Sequence, residues 1–361
     1  MREDLKYQYW LKSIYGIGNK KQKKLVEYCG SAREVYRLTE KQLLSVYGIR
    51  EKDAWRIVES KKTWQLEREA EILEKKGIFL ISMEEEEFPE KIAEISDGPY
   101  ALFYKGKLPG AGKALAIVGA RNCSSYGKSM ALSLGQCLAE SGVQIISGMA
   151  AGIDSFGHWG AIKGGGATFA VLGCGVDVCY PKGAKELYER ILEKGGILSE
   201  YLPGTMPAPG LFPMRNRLIS GFSDIVVLVE AKEKSGSLIT ADFALEQGKD
   251  IYAVPGRVGD ALSQGCNRLI CQGAGIILSP EELLTELGFS AKNRNFEKQN
   301  PKKVLEKEEL LVYSCFGLHA KTLEELVLHT GLNANDVTDL LVKLMMKGMI
   351  EEDFKNRYRK V

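Results

Sequence analysis

The sequence predicts an α/β protein with a mainly parallel sheet, preceded by a helical block and followed by a small helical unit that ends in a hairpin. Between residues 113 and 280, short apolar runs alternate with helix-like segments rich in small residues. The runs are apolar at consecutive positions, as strands covered on both faces are. Ahead of this region two Gly-centred turns repeat, each leading into an amphipathic segment. Behind it, a polar stretch leads to two more amphipathic segments and a short tail.

The 361 residues suit two or three domains, and 45% hydrophobic with 27% charged residues is ordinary for a globular chain. A net charge of +2 excludes a global polyanion-binding surface, so any such surface is a local patch. The eight cysteines form no CxxC pair, and with three histidines (158, 319 and 329) no metal-site spacing arises. The start, MREDLKYQYW, has no signal-peptide core, and no apolar run reaches membrane-spanning length. These features predict a cytoplasmic protein with free thiols, no metal, no cofactor and no membrane partner.

The first domain is expected over residues 1–75. IYGIGNKKQKKLVEYCG (14–30) and VYGIREKDAWRIVES (46–60) each read as apolar residue, Gly turn and amphipathic helix. That is a helix-hairpin-helix, SAM-like pattern. Its turn can offer N–H groups to a phosphate at a helix start, which makes Gly16, Gly18 and Lys20 candidate phosphate contacts. The second unit has Arg50 where the first has Gly18, which weakens the same reading there. Residues 76–112, counted with the second domain (76–287), hold GIFLISMEEEEFPEKI and YALFYKGKL, two short strands around an acidic loop. Glu84–Glu87 read as a solvated charge run.

The strands expected next are 114–120, 143–147, 167–173, 196–200, 224–231, 250–256 and 275–279. Residues 288–304 are polar and Asn/Lys-rich, a linker. The last domain, 305–361, carries two helices joined by TGLNAND, with Asn333 or Asn335 as cap of the second, and a terminal hairpin. This is a winged-helix pattern. Asp336 and Asp339 near the start of its second helix would repel a DNA backbone, which favours a protein-contact or structural role.

In an open parallel sheet, ligands bind at the carboxyl ends of the strands. After the first strand comes GARNCSSYGKS (119–129). It is not a P-loop, because seven residues separate Gly119 from Gly127 and Asn122 stands where the first Gly belongs. Gly119, Ala120 and Arg121 still turn off a strand with N–H groups and a guanidinium. SGMAAGIDSFGHWGA (147–161) follows the second strand, where Ser147 and Gly148 allow close backbone approach and Asp154 can cap the next helix. Ser235, Gly236 and Ser237 open another helix after 224–231. FPMRNR, with Phe212, Arg215, Asn216 and Arg217, precedes that strand and is read as a loop folded over the same edge. Guanidinium forks suit phosphates and stack on flat rings, though one of the two arginines could pair internally with Glu200 or Glu230. No Ser-His-Asp order is evident and His158 reads as structural, so no catalytic residue is assigned.

IVGARNCSSYG, SGMAAGIDSFGHWGA, LGCGVDVCYP, LSEYLPGTMPAPGLFPMRNRLISG, VVLVEAKEKSGSLITADFALEQGKDIYAVPG and GCNRLICQGA occur in this order. Together they resemble the DprA (DNA processing protein A, or Smf) family over about residues 1–287. Departures are Ala120 where the family usually has Ser, and His158 where Ala is common. The resemblance implies a Rossmann-like domain that binds single-stranded DNA without catalysis, a homodimer, and delivery of that DNA to the recombinase RecA during natural transformation. It implies DNA contacts at Gly119, Arg121, Ser147–Gly148, Arg215, Asn216 and Arg217. The alternative is a nucleotide-binding enzyme similar to the cytokinin-activating nucleoside-monophosphate phosphoribohydrolases, to whose Gly-rich loop SGSLITAD bears a distant likeness.

Overall fold

Strands that are apolar on both faces have to lie between two layers of helices, and the chain is arranged accordingly. The computed structural model describes residues 4–289, 305–317, 320–354 and 356–360. The expected linker therefore lies outside the described residues from position 290, and so does His319. The chain divides into two units, Met1–Cys123 with Gly127–Glu286, and Ser124–Tyr126 with Leu287–Val361.

The first unit begins with helices α1 (Leu5–Ser13), α2 (Asn19–Cys29), α3 (Ala32–Arg37), α4 (Glu40–Leu44), α5 (Glu51–Thr63) and α6 (Leu66–Lys75). Its strands are β1 (Phe79–Ser82), β2 (Ala101–Gly106), β3 (Ala114–Val118), β4 (Gln144–Ser147), β5 (Thr168–Leu172), β6 (Gly196–Ser199), β7 (Ile225–Leu228), β8 (Asp250–Ala253) and β9 (Gly275–Ile276). They form one sheet in the order β1-β2-β6-β5-β4-β3-β7-β8-β9. Every pairing from β6 through β9 in that order is parallel. The segment 76–112 adds β1 and β2 antiparallel at one edge. The remaining helices are α7 (Glu90–Ala93), α8 (Ser125–Glu140), α9 (Ile153–Lys163), α10 (Lys185–Lys194), α11 (Leu211–Phe222), α12 (Gly236–Glu246), α13 (Gln264–Cys271) and α14 (Pro280–Glu286).

Side chains alternate across the sheet. Phe103, Ala170, Leu172 and Ile197 share one core with Trp10, Leu11, Leu25 and Ile57 of the N-terminal helices. Their neighbours Leu102, Phe169, Val171 and Leu198 share the opposite core with Ile92, Leu218, Ile219 and Phe222. The helices of residues 5–75 thus share one face of the sheet with α9 and α10, covering it at the β1–β2 edge.

Each apolar run is a strand, but most stop short of the predicted carboxyl end. Val229, Glu230 and Ala231 are buried beyond β7 as loop residues, so burial at a strand end does not require pairing. Two expectations are corrected. FPMRNR is no loop: it is the first half of α11. Pro213 is third in that helix, where its missing N–H would have had no intrahelical partner. Nor is Glu84 solvated. It is half-buried, accepts from Ala32 N at 2.9 Å and takes a short hydrogen bond from Tyr100 Oη. Burial holds its carboxyl above the usual range.

The second unit contains α15 (Lys307–Cys315), α16 (Leu323–Thr330) and α17 (Ala334–Met346), with β10 (Lys321–Thr322), β11 (Ile350–Phe354) and β12 (Arg357–Lys360) in a small antiparallel sheet. Of the two candidate caps, Asn333 is the one used: its side chain accepts from Asp336 N at 2.9 Å.

His158 is structural. It is fully buried in α9, with Nδ1 2.6 Å from Thr168 Oγ1. Thr168 donates its own proton to Ile145 O at 3.0 Å, so Nδ1 carries the ring proton. Burial pulls the pKa of His158 from 6.5 down to about 3. Between those values the unfolded chain binds a proton that the native chain refuses. The contribution is therefore complete above pH 6.5 and declines as pH falls toward 3. The melting temperature should fall more steeply from pH 6.5 to about 5 in the parent protein than in His158→Ala. Parallel curves in circular-dichroism melts would remove this assignment.

Candidate functional site

Strands β3, β4, β5 and β6 step in one direction. The chain then crosses through α11 to place β7 on the other side of β3. Loops leaving β3 and β7 therefore diverge, and open sheets hold ligands at such a switch point. A cleft of about 630 Å³ lies there. Gly119, Ala120, Arg121 and Asn122 line it after β3, and Lys232, Lys234, Ser235, Gly236 and Ser237 after β7. Phe212, Arg215 and Asn216 line it from α11. A side cavity of about 70 Å³ shares Arg121, Tyr180, Phe212 and Arg215 and is completed by Gly148, Gly173, Cys174 and Pro181.

The mouth of the cleft is a stack of flat groups. The exposed Arg121 guanidinium lies 5.4 Å from the centroid of the Phe212 ring. On Phe212 stacks Tyr180, with centroids 5.5 Å apart and planes 30° apart. Gly173 permits this, because a Cβ there would stand 2.8 Å from the Phe212 ring.

Arg215 is 4% exposed, yet it lines both cavities. Its Nη1 donates to Gly148 O at 3.0 Å and, through a short bond, to Val171 O. Its Nε donates to Asn216 Oδ1 at 3.2 Å, and Asn216 Nδ2 donates to Gly236 O at 3.3 Å. Asn216 thereby links α11 to the start of α12. A Cβ at Gly148 would come within 2.6 Å of the guanidinium, so this glycine is what lets Arg215 lie against β4. Asp154 is the opposing charge. It is not the helix cap expected of it, since Gly152 holds that position. Its Oδ2 instead accepts from Gly148 N at 3.1 Å. Burial raises its pKa while Arg215 pulls it down. Between them Met149 has φ of 54°, a conformation side-chain-bearing residues rarely adopt and one that concentrates at functional sites.

Two predicted residues lie elsewhere. Ser147 is fully buried and donates to Ile117 O at 2.6 Å, joining β4 to β3. Arg217, 2% exposed, faces away from the cleft. It makes a short ion pair with Glu200, and Asp97 stands 3.1 Å from its Nε. Glu200 also takes a short hydrogen bond from Asn19 Nδ2, and Asn19 Oδ1 accepts from Lys12 Nζ at 3.0 Å. Burial pulls the Lys12 pKa to about 8, against the attraction of Glu200. Arg217 is thus the internally paired arginine, and Glu200 is its partner.

Gly119, Ala120, Arg121, Phe212, Arg215, Asn216, Ser235, Gly236 and Ser237 all border the cleft. Ser235 caps α12, and its hydroxyl lies 2.8 Å from that of Ser237. Gly16, Gly18 and Lys20 belong to the N-terminal hairpins. Sequence reasoning did not single out Tyr180, Lys232 or Lys234. The two lysines were legible as cations between a strand end and a helix start, whereas Tyr180 becomes relevant only through its stack on Phe212. Among the described residues, no group of three or more His, Cys, Asp or Glu side chains converges to hold a metal.

A cationic, aromatic-rimmed cleft at the switch point of a mainly parallel sheet defines an α/β protein of the open-sheet, strand-end-site class. Residues 79–288 match the family model of DNA recombination-mediator protein A. The chain belongs to that family. It is 44% identical over 207 residues to DNA processing protein DprA of Streptococcus pneumoniae, covering 56% of this chain and 72% of the relative. It is 34% identical over 291 residues to protein Smf of Synechocystis, covering 78% and 72%. The X-ray structure of the S. pneumoniae protein superposes with a TM-score of 0.69 at 35% identity, covering 78% of this chain and 97% of that one. A structure of DNA processing protein A from Helicobacter pylori, described for its single-stranded DNA binding mode, gives 0.53 at 30% identity, covering 58% and 95%.

The buried network around Glu200 has a measurable consequence. Glu200→Leu leaves Arg217 and Lys12 without their shared carboxylate, and such stranded buried charge costs about 3 kcal/mol. Urea unfolding of the variant should show a loss of that order, and an unchanged midpoint would contradict the pairing.

Proposed function

We propose that the strand-end cleft binds single-stranded DNA and that the chain is a non-enzymatic recombination mediator. The stack of Arg121, Phe212 and Tyr180 at the mouth of the cleft carries this reading. Bases stack on aromatic faces whatever their sequence, and cations beside them neutralise phosphates. A duplex keeps its base faces inside and presents none to such a platform. The H. pylori relative's description as a single-stranded DNA binder supports the same ligand here.

In this reading Arg121, Lys232 and Lys234 meet phosphates. The N–H groups of Gly119–Ala120 and of Ser235, Gly236 and Ser237 at the start of α12 add hydrogen bonds. Phe212 and Tyr180 take bases. Arg215 and Asn216 form the floor. Ser147 and Arg217 are positioning residues. Partners are RecA and a second copy of the chain, in the cytoplasm, with a role in natural transformation. The helices of residues 5–75 read as paired helix-hairpin-helices, and residues 305–361 as a winged helix after a 288–304 linker. Asp336 and Asp339, both exposed near the start of α17, favour protein over DNA as the ligand of that unit.

Fluorescence anisotropy of labelled oligo-dT across a salt series tests the cleft. Phe212→Ala should weaken binding by about tenfold or more through lost stacking. Arg121→Ala should reduce the salt slope by about 0.7 for one phosphate contact. Unchanged binding by folded variants would move the site elsewhere. Faster RecA assembly on the bound strand, lost in the same variants, would support the mediator role. Release of free base from nucleoside monophosphates would replace it with the hydrolase reading.

A further inference from the structure

The loop that leaves β3 is built around one buried carboxylate. GARNCSSYG runs from Gly119 to Gly127, and both glycines lie against Glu230, two residues beyond β7. A Cβ at Gly119 would stand 2.9 Å from the Glu230 carbonyl oxygen. A Cβ at Gly127 would stand 2.3 Å from Glu230 Oε2 and 2.5 Å from its Cδ. Neither separation is tolerable for a side-chain carbon, so each glycine is room made for Glu230. The residue is 5% exposed. Cys123, midway along the loop, has its thiol held above the usual range by burial first and by Glu230 second. The charge of Glu230 is thus felt at the middle of the loop as well as at its end.

The place of this carboxylate matters more than its burial. Gly127 is in the first turn of α8, the helix that follows β3. β3 is the first parallel strand of the sheet, and open α/β sheets put the phosphate of a nucleotide at such a helix start. Unpaired N–H groups and the helix dipole favour negative charge there, whether a ligand or a side chain brings it. α8 has no acidic residue in its own first turn. Here the charge comes from the end of β7. The two glycines whose spacing rules out a P-loop are accounted for by an anion that belongs to the chain. The cleft is lined by residues next to this seat, Gly119 in contact with Glu230 and Lys232 two residues on from it.

We infer that Glu230 is a specificity-determining residue, an internal anion that fills the phosphate position beside the cleft and so refuses free nucleotides. The inference rests on the cleft being the single-stranded DNA site. A nucleoside monophosphate has one terminal phosphate to place at one helix start, and that place is taken. A strand does not need it, because its affinity is spread over many phosphates and stacked bases. Free nucleotides carry the same bases and the same kind of charge as the strand. Without this carboxylate the cleft would be open to competition from them.

Oligo-dT anisotropy with thymidine 5′-monophosphate as competitor, at fixed ionic strength, tests the inference on the full chain. With the parent protein the nucleotide should displace no more oligo-dT than chloride does. Glu230→Ala empties the seat. The nucleotide should then compete about tenfold better or more, the worth of one hydrogen bond to a charged group, and should raise the melting temperature of that variant but not of the parent. Glu230→Gln keeps the seat filled and should stay resistant, which separates occupancy from the mere loss of a negative charge. Thermal melts verify folding, and Glu230→Ser carries the same expectation should the alanine variant not fold. Equal competition in parent and Glu230→Ala, no gain in a folded Glu230→Ala, or as large a gain in Glu230→Gln would each overturn the inference. Absence of oligo-dT binding by the parent would strike the cleft reading instead, and the melting-temperature shift with the nucleotide would still decide the role of Glu230.

Discussion

Two arginines two residues apart on one helix cannot both stay in an apolar interior without acceptors to hold them. The way this chain supplies those acceptors fixes α11, and with it the cleft. Arg217 turns to Glu200 and Asp97. Arg215 turns the other way, to the carbonyls of Gly148 and Val171 at the ends of β4 and β5. Glu200 in turn holds Asn19 of α2. The helix carrying the cleft's floor is thus tied at one point to the sheet and to the N-terminal layer.

This arrangement explains why the cleft has the character it has. The carboxyl ends of β3 and β7 deliver glycines, small hydroxyls and helix starts, all of which favour an anion. Asp154, the carboxylate inside the cleft wall, is occupied by Gly148 N and faces Arg215. The chain belongs to the DNA recombination-mediator protein A family, and the cleft has the chemistry that the proposed single-stranded DNA ligand calls for.

Much of the sheet was legible in the sequence, because strands covered on both faces are apolar at consecutive positions and leave an uninterrupted signal. The strand-end glycines and Arg121 were legible for a related reason, since each follows such a run directly. Helix α11 was not. Pro213 and the charged pair around Asn216 imitate a loop, and only the burial of Leu218, Ile219 and Phe222 on one face reveals the helix. Glu84 was misread because a run of four acids looks solvated, while its partners Ala32 and Tyr100 lie 52 and 16 residues away. Tyr180 depends on its stack with Phe212, a contact that no local pattern encodes.

The shared core of the N-terminal helices and the sheet also bears on how far the chain can be shortened. The face formed by Phe103, Leu172 and Ile197 is sealed by Trp10, Leu11 and their neighbours together with Leu187 and Ile191 of α10. Cutting the chain ahead of β1 would bare the Phe103 end of that face and leave Glu200 without Asn19, producing a sticky fragment prone to precipitate. Phe103, whose ring meets that of Tyr9 edge-on at 5.6 Å, is therefore the position where a polar side chain would part the helical layer from β2.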